Sequence, residues 1–188
     1  MLKTYKLLSL LLDYPDQTVE TVLDSAREEI RKENLIPSGL EQQLSCFLDN
    51  CASLTLSDWQ MIYVQQFDYS RTVNLYLFDY VYGDSRQRGQ AMVDLKEMYA
   101  RGGWQMVPDE LPDYLPLFLE YLSTLSSGPE AVELLAPLAP ILRKMEERLT
   151  EENNFYRYLF RVLLGLAESS REKASVGGNA DRITKPRL

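Results

Sequence analysis

Two runs decide how this chain reads: YGDSRQRGQAMVDL at residues 82–95 and ELPDYLPLFLEYLSTL at residues 110–125. In the second, Leu115, Phe118, Leu119, Leu122 and Leu125 recur at the three- and four-residue spacing that lines one face of a helix. Pro112 lies in the turn before it, and Pro116 suits a first helical turn, where a missing N–H costs nothing. In the first run, Asp84 or Ser85 is placed to cap a helix with Ala91, Met92, Leu95, Met98 and Tyr99 on its inner face. Arg101-Gly102-Gly103 stops that helix. Tyr, Arg, Asp and Pro crowd the loop-to-helix junctions without forming a catalytic set. Such residues recognise a partner more readily than they transform one.

The same helical period extends outward from these runs. Val19, Val22, Leu23, Ala26 and Ile30 form one stripe after Pro15-Asp16, and Leu40, Leu44, Phe47, Leu48, Cys51 and Leu54 form another after Pro37-Ser38. Ser57-Asp58-Trp59-Gln60 fits a capping box, with Leu56 and Met61 as its hydrophobic staple, and predicts a helix through Phe67. A further helix is expected over Val73–Val81, ending at Gly83. Ser126-Ser127-Gly128-Pro129 reads as a loop. Pro137 and Pro140 divide the following stretch into a short helix and a longer one through Leu149. The last helix carries Phe155, Tyr158, Leu159, Val162, Leu163 and Leu166. No sustained strand alternation, internal repeat or Gly-rich phosphate loop occurs. The expected fold is an all-α single globular helical bundle over residues 1–170, with a polar tail over 171–188 carrying Arg182, Lys185 and Arg187.

Composition narrows the function. A chain of 188 residues with 45% apolar content makes one domain with an ample core. Its 28 acidic against 20 basic residues, a net charge of −8, argue against nucleic-acid binding. Such a surface suits a basic partner and also serves solubility alone. Histidine is absent, which removes the commonest general base and the imidazole metal ligands. Cys46 and Cys51 lie on one expected helix about 140° apart, so neither a shared metal nor a disulfide is expected. The apolar run Leu7–Leu12 is broken by Ser9 and followed at once by Asp13 and Pro15, unlike a signal peptide. No stretch approaches the ~20 apolar residues of a membrane span. A soluble, cytoplasmic protein without membrane insertion is expected.

Each candidate residue has a structural and a functional reading. Glu110 and Asp113, and Asp79 and Asp84, could form acid pairs, but acidic residues beside Pro and Gly more often cap helices. Arg71, Arg86 and Arg88 could bind an anion, or could pair internally with Asp79, Asp84 or Asp113 and lock the loops. Tyr69, Tyr76, Tyr80, Tyr82, Tyr114 and Tyr121 offer a flat apolar face with a hydroxyl, suited to a half-wet peptide groove or to a core rim. Tyr121, inside a helix, reads as core.

These residues carry a resemblance. LLDYPD at residues 11–16 looks like the N-terminal segment of the NarJ-type assembly chaperones of respiratory nitrate reductase, within the wider TorD/DmsD family of molybdoenzyme-specific chaperones. The block from Tyr63 to Met92, with Phe67-Asp68, Arg71, Leu75, Leu77-Phe78, Val81, Gly83 and SRQRGQAM, is similar to that group's central block. ELPDY at 110–114 resembles the family's E-x-P-D-H signature. Relatives often carry His where Tyr80, Tyr82 and Tyr114 stand here, so no role of a titrating imidazole carries over. Nor do roles of the longer relatives' extended C-terminal tails.

The resemblance implies a TorD-like fold and a non-enzymatic chaperone with no catalytic residues and no metal site. Its partner would be the apo catalytic (alpha) subunit of nitrate reductase, bound through that subunit's N-terminal segment. The chaperone would hold it for insertion of bis-molybdopterin guanine dinucleotide, bind no cofactor stably itself, and prevent premature docking with the membrane partner. Tyr69, Arg71, Tyr80, Tyr82, Asp84, Arg86, Arg88, Glu110, Asp113 and Tyr114 are expected to line or support the peptide groove. A monomer is expected, with a helix-exchanged dimer open. The competing readings are a chaperone of the same fold for a dimethyl sulfoxide or trimethylamine N-oxide reductase, separable by leader-peptide affinity, a nucleotide-binding enzyme using Arg86 and Arg88, separable by turnover, and a helical scaffold for an unrelated protein.

Overall fold

The computed structural model describes residues 1–70, 72–83, 85–106 and 110–177. Among them the regular structure is helical, as the 3.6-residue periods predict. Helix α1 (Lys3–Leu12) precedes α2 (Gln17–Glu33), whose first amides are capped by Asp16: Oδ1 accepts from Thr18 N at 2.8 Å and Val19 N at 3.1 Å. Those hydrogen bonds, led by Val19, hold the exposed Asp16 carboxyl below the usual range. Asn34, at φ 52°, ends α2 in the left-handed region.

Helix α3 (Glu41–Ala52) buries Leu44, Phe47, Leu48 and Cys51, the stripe read from the sequence. Helix α4 (Leu56–Tyr63) begins earlier than its expected capping box. Thr55, not Ser57, is the cap, accepting from Asp58 N at 3.1 Å and donating to Asp58 Oδ2 at 2.7 Å. Gln60, expected to reach back to Ser57, instead donates to the Pro15 carbonyl at 2.8 Å. A π-helical turn, Val64–Tyr69, continues α4.

Residues 73–78 are not the expected helix. Only α5 (Asp79–Tyr82) forms a single turn, and it leads to α6 (Arg86–Arg101). The reason is competition from distant partners. Asn74 Oδ1 takes the Tyr76 amide at 2.9 Å, the Asp113 carbonyl takes Leu77 N at 3.0 Å, and the Asp113 carboxylate takes Phe78 N at 2.9 Å. With these donors committed elsewhere, no i→i−4 ladder can start before Asp79.

Helix α7 (Leu115–Thr124) is buried along most of its length, on more than one face. Leu115, Leu119 and Leu122 are wholly buried, each contributing about 2 kcal/mol of apolar burial. Pro116 sits in its first turn as expected. Helix α1 lies antiparallel on α7: Leu2 N donates to the Ser123 carbonyl at 2.7 Å, and Ser9 Oγ donates to the Pro116 carbonyl at 2.8 Å. Helix α8 (Gly128–Leu135), capped by Ser127, runs into a 3-10 turn, Ala136–Leu138, and α9 (Ala139–Glu151), the short-then-long division set by Pro137 and Pro140. The helix start at Gly128 corrects the expected Ser126–Pro129 loop.

Helix α10 (Tyr156–Gly177) pairs with α9 through Arg161–Glu146 at 2.7 Å and through an Arg143–Glu168 ion pair. It also lies antiparallel to α3: Leu40, at the head of α3, lies against Gly165, while Phe47 packs edge-on to Tyr156 at 5.3 Å. At this end of the bundle Trp59 donates to the buried Tyr156 hydroxyl at 2.7 Å, tying α4 to α10.

Candidate functional site

The ELPDY turn and the 73–78 stretch form one antiparallel bridge, in which Tyr76 faces Tyr114. Besides the Leu77–Asp113 bond, Leu115 N donates to the Leu75 carbonyl at 2.8 Å. The Tyr76 and Tyr114 rings lie 5.4 Å apart. The bridge brings together three segments that are far apart in sequence.

The Tyr114 hydroxyl donates to Asp13 Oδ1 at 3.1 Å, and Tyr63 lies hydroxyl to hydroxyl with Tyr114 at 2.9 Å. Since the single Tyr114 proton goes to Asp13, Tyr63 is the donor of that pair. The Tyr14 ring stands edge-on to Tyr63 at 5.7 Å. On the other side of the bridge Tyr76 donates to Glu110 Oε1 at 3.3 Å. Burial, followed by the Glu110 charge, pushes the Tyr76 phenol up to about 12. Burial raises Tyr63 and Tyr114 further, and the Asp13 charge adds to both. Asp68, on the π-helical turn, also acts on Tyr63 and Tyr76.

Asp113 does not line a surface. It is fully buried, and its carboxylate fixes Phe78 N while Arg88 lies 3.9 Å away. Desolvation raises its carboxyl above the ordinary range, against the opposing pull of the Phe78 amide and Arg88. Arg88 pairs chiefly with Asp79 at 2.6 Å. The internal-pairing reading of the arginine cluster therefore holds for Arg88, which ties the start of α6 to α5 and to the bridge. Tyr99, the one buried residue of α6, donates to the Pro112 carbonyl at 2.8 Å and fixes the other end of the turn.

The remaining expected site residues are dispersed. Tyr80 is half-buried, its hydroxyl accepting from Asn74 N at 3.0 Å and donating to the Asn74 carbonyl at 3.1 Å. Tyr82 packs edge-on to Phe78 at 5.5 Å. Arg86 is exposed in the first turn of α6, and Tyr69 is 81% exposed at the end of the π-helical turn. Glu110 joins the tyrosine cluster, whereas Arg71 and Asp84 lie outside the described residues. Sequence reasoning did not place Asp13, Tyr14, Tyr63, Asp68 or Tyr76 in the site. Asp13 and Tyr14 stand in the LLDYPD segment, and Tyr76 in the tyrosine crowd. Their convergence is a tertiary fact with no local signal.

Among the described residues no group of three or more Cys, Asp and Glu is arranged to hold a metal, and no helix is long and apolar enough to cross a membrane. The sequence profile of the family described as "Nitrate reductase delta subunit" matches residues 33–161. The nitrate reductase molybdenum cofactor assembly chaperone NarJ of Escherichia coli is 39% identical over 170 residues, in both strain K12 and strain O157:H7. The match covers 90% of this chain and 72% of the relative. A crystal structure of an Archaeoglobus fulgidus protein assigned to redox enzyme maturation superposes with a TM-score of 0.62 at 22% identity. It covers 88% of this chain and 93% of that one, and bears out the expected all-α, TorD-like fold. The relatives are named as assembly chaperones, the class expected from the sequence. By the extent of these matches, this chain belongs to the nitrate reductase delta subunit family, the NarJ-type molybdenum cofactor assembly chaperones.

Proposed function

We propose that this protein binds the N-terminal segment of the apo catalytic subunit of respiratory nitrate reductase in the cytoplasm. It holds that subunit open for insertion of bis-molybdopterin guanine dinucleotide and keeps it from docking early on its membrane partner. The observation that carries this reading is the surface around the ELPDY turn. Tyr14 and Leu111 are 49% and 46% exposed there, beside the half-buried Tyr76 and Tyr114 and on a framework fixed by Asp113, Arg88 and Tyr99. A rigid, partly wet aromatic surface on an acidic bundle suits an amphipathic segment, whose apolar side chains supply affinity while charge supplies steering. Such binding is reversible, so the segment leaves when the client folds it elsewhere. Of the expected residues, Tyr69, Glu110 and Tyr114 meet the segment. Asp113, Arg88, Tyr80 and Tyr82 support the surface from behind.

Calorimetric titration with a peptide copying the first residues of the catalytic subunit tests this. Saturable one-to-one binding is expected, with dimethyl sulfoxide and trimethylamine N-oxide reductase leaders silent. Equal binding of those leaders would assign another client, and no binding at all would remove the proposed docking segment.

A further inference from the structure

The π-helical turn Val64–Tyr69 closes i→i+5, with Ser70 N donating to the Gln65 carbonyl at 3.1 Å, and such closure is rare wherever an α-helical turn could form. What holds it lies outside the turn. Gln66 is only 6% exposed, so both ends of its amide need partners within the protein. Both partners come from one place, the connection between α9 and α10. Gln66 Nε2 donates to Glu152 Oε2 at 2.9 Å, and Asn154 Nδ2 donates to Gln66 Oε1 at 2.7 Å. The other carboxylate oxygen of Glu152 accepts from Thr72 Oγ1 at 2.6 Å, which fixes the chain just past the turn as well.

The α9–α10 connection is itself held in a single shape. Asn153 stands at φ 52°, and Asn154 N donates to the Leu149 carbonyl at 2.9 Å. Asn154 Oδ1 accepts from Tyr156 N at 2.9 Å, at the start of α10. One Asn154 side chain thus caps α10 and grips Gln66. The next residue of the turn, Phe67, packs edge-on to Tyr156 at 4.9 Å. The two residues that precede the exposed Asp68 and Tyr69 are therefore both anchored at the head of α10.

We infer that Gln66, Glu152 and Asn154 are positioning residues: they clasp Val64–Tyr69 in its π-helical form, and the α9–α10 connection thereby sets, from behind, the direction in which Tyr69 is offered to a partner. An α-helical turn over the same residues places Gln66 at another angle around the axis. Its buried amide and the Asn154 donor are then left unpaired, a cost the π-helical form avoids. Without the clasp that cost disappears, and the commoner i→i+4 closure takes over. The clasp stands on its geometry alone. Its effect on binding rests on the client reading above, in which Tyr69 meets the segment.

Two substitutions in the full chain release the clasp. Glu152 is exposed, so Glu152→Ala removes its acceptors without opening the core. Asn154→Asp keeps an oxygen to cap Tyr156 N and loses the donor to Gln66. Glu151→Ala, at the exposed neighbouring position, is the control, and a thermal melt verifies each fold. The Ser70 hydrogen bond is read directly, by the NMR scalar coupling across it between the amide nitrogen and the accepting carbonyl carbon. Wild type and Glu151→Ala should show the coupling from Ser70 to Gln65. Both clasp variants should lose it or move it to Gln66, with amide exchange in the body of α10 unchanged. A Ser70–Gln65 coupling that persists in both variants would overturn the clasp, as would its absence from the wild type. Titration with the client N-terminal peptide reads the consequence. Each clasp variant is expected to bind about fivefold more weakly, as loss of one aromatic contact does, and Tyr69→Ala should abolish that difference. A moved coupling with unchanged affinity would uphold the clasp and overturn its part in binding. If the peptide does not bind the wild type, the client reading falls and the coupling alone decides the clasp.

Discussion

At the scale of single residues, Asp113 shows how a signature residue can serve a site without touching a ligand. One atom of its side chain and one of its backbone hold successive amides of the 73–78 stretch, and both need an acceptor rather than a charge. Asp113→Asn keeps the acceptor and relieves a buried anion. It should therefore cost less than about 1 kcal/mol in urea unfolding at pH 7. Asp113→Ala orphans the Phe78 amide and should cost about 1–3 kcal/mol. A large loss in the Asn variant would show that the charge, through Arg88, is what the fold requires. This division of labour was invisible in the sequence. Asp113 reads there as a cap, half of an acid pair or an arginine partner, because the two amides it holds lie more than thirty residues away.

At the scale of elements, legibility followed locality. The stripes of α2, α3 and α7 were read correctly because their buried faces are set by spacing alone. Of the expected inner face of α6, by contrast, only Tyr99 is buried, and Ala91, Met92, Leu95 and Met98 are half-buried. The expected helix over Val73–Val81 failed because side chains of Asn74 and Asp113 outbid the helical ladder, and the α4 cap moved two residues because Thr55 competes with Ser57. Packing between α3 and α10 was equally hidden, since Gly165 carries no apolar signal yet receives the Leu40 side chain at the head of α3. A Cβ there would lie 2.0 Å from Leu40 Cδ1. Gly165→Ala should therefore cost about 1 kcal/mol in the native background, overpacking outweighing the helical preference for Ala. In a Leu40→Ala background the same change should stabilise by about 0.5–1 kcal/mol. A double-mutant cycle of unfolding midpoints reads the reversal, and additivity would refute the contact.

For the whole molecule, the tyrosine bridge ties stability to alkaline pH. The Tyr76 phenol sits at about 12 in the fold against about 10 in an unfolded chain. The folded state holds that proton more tightly, so its contribution is complete below about pH 10 and is lost as pH rises through about 12. Tyr63, Tyr99 and Tyr114, raised further by burial, push in the same direction. Unfolding midpoints should be level from pH 7 to 9 and fall above 10. Tyr76→Phe, which cannot ionise, should flatten the start of that fall. An identical fall in the variant would place the titration in the other tyrosines. The family and the architecture were legible from three short motifs, but the meeting of α1, the π-helical turn and the ELPDY turn emerged only from the fold.

The π-helical turn at Val64–Tyr69 also bears on how this surface can diversify. A turn closed by i→i+5 bonds holds one residue more than the α-helical turn that could replace it. A single-codon deletion there can be absorbed as ordinary helix, leaving α4 and its Trp59 anchor in place. Everything beyond the deletion would be turned by about 100° around the axis. Asp68 and Tyr69, at the end of the turn, would then face a different direction. Under the proposed function, an indel at this turn is expected to change partner preference by a route separate from substitutions that erode a core.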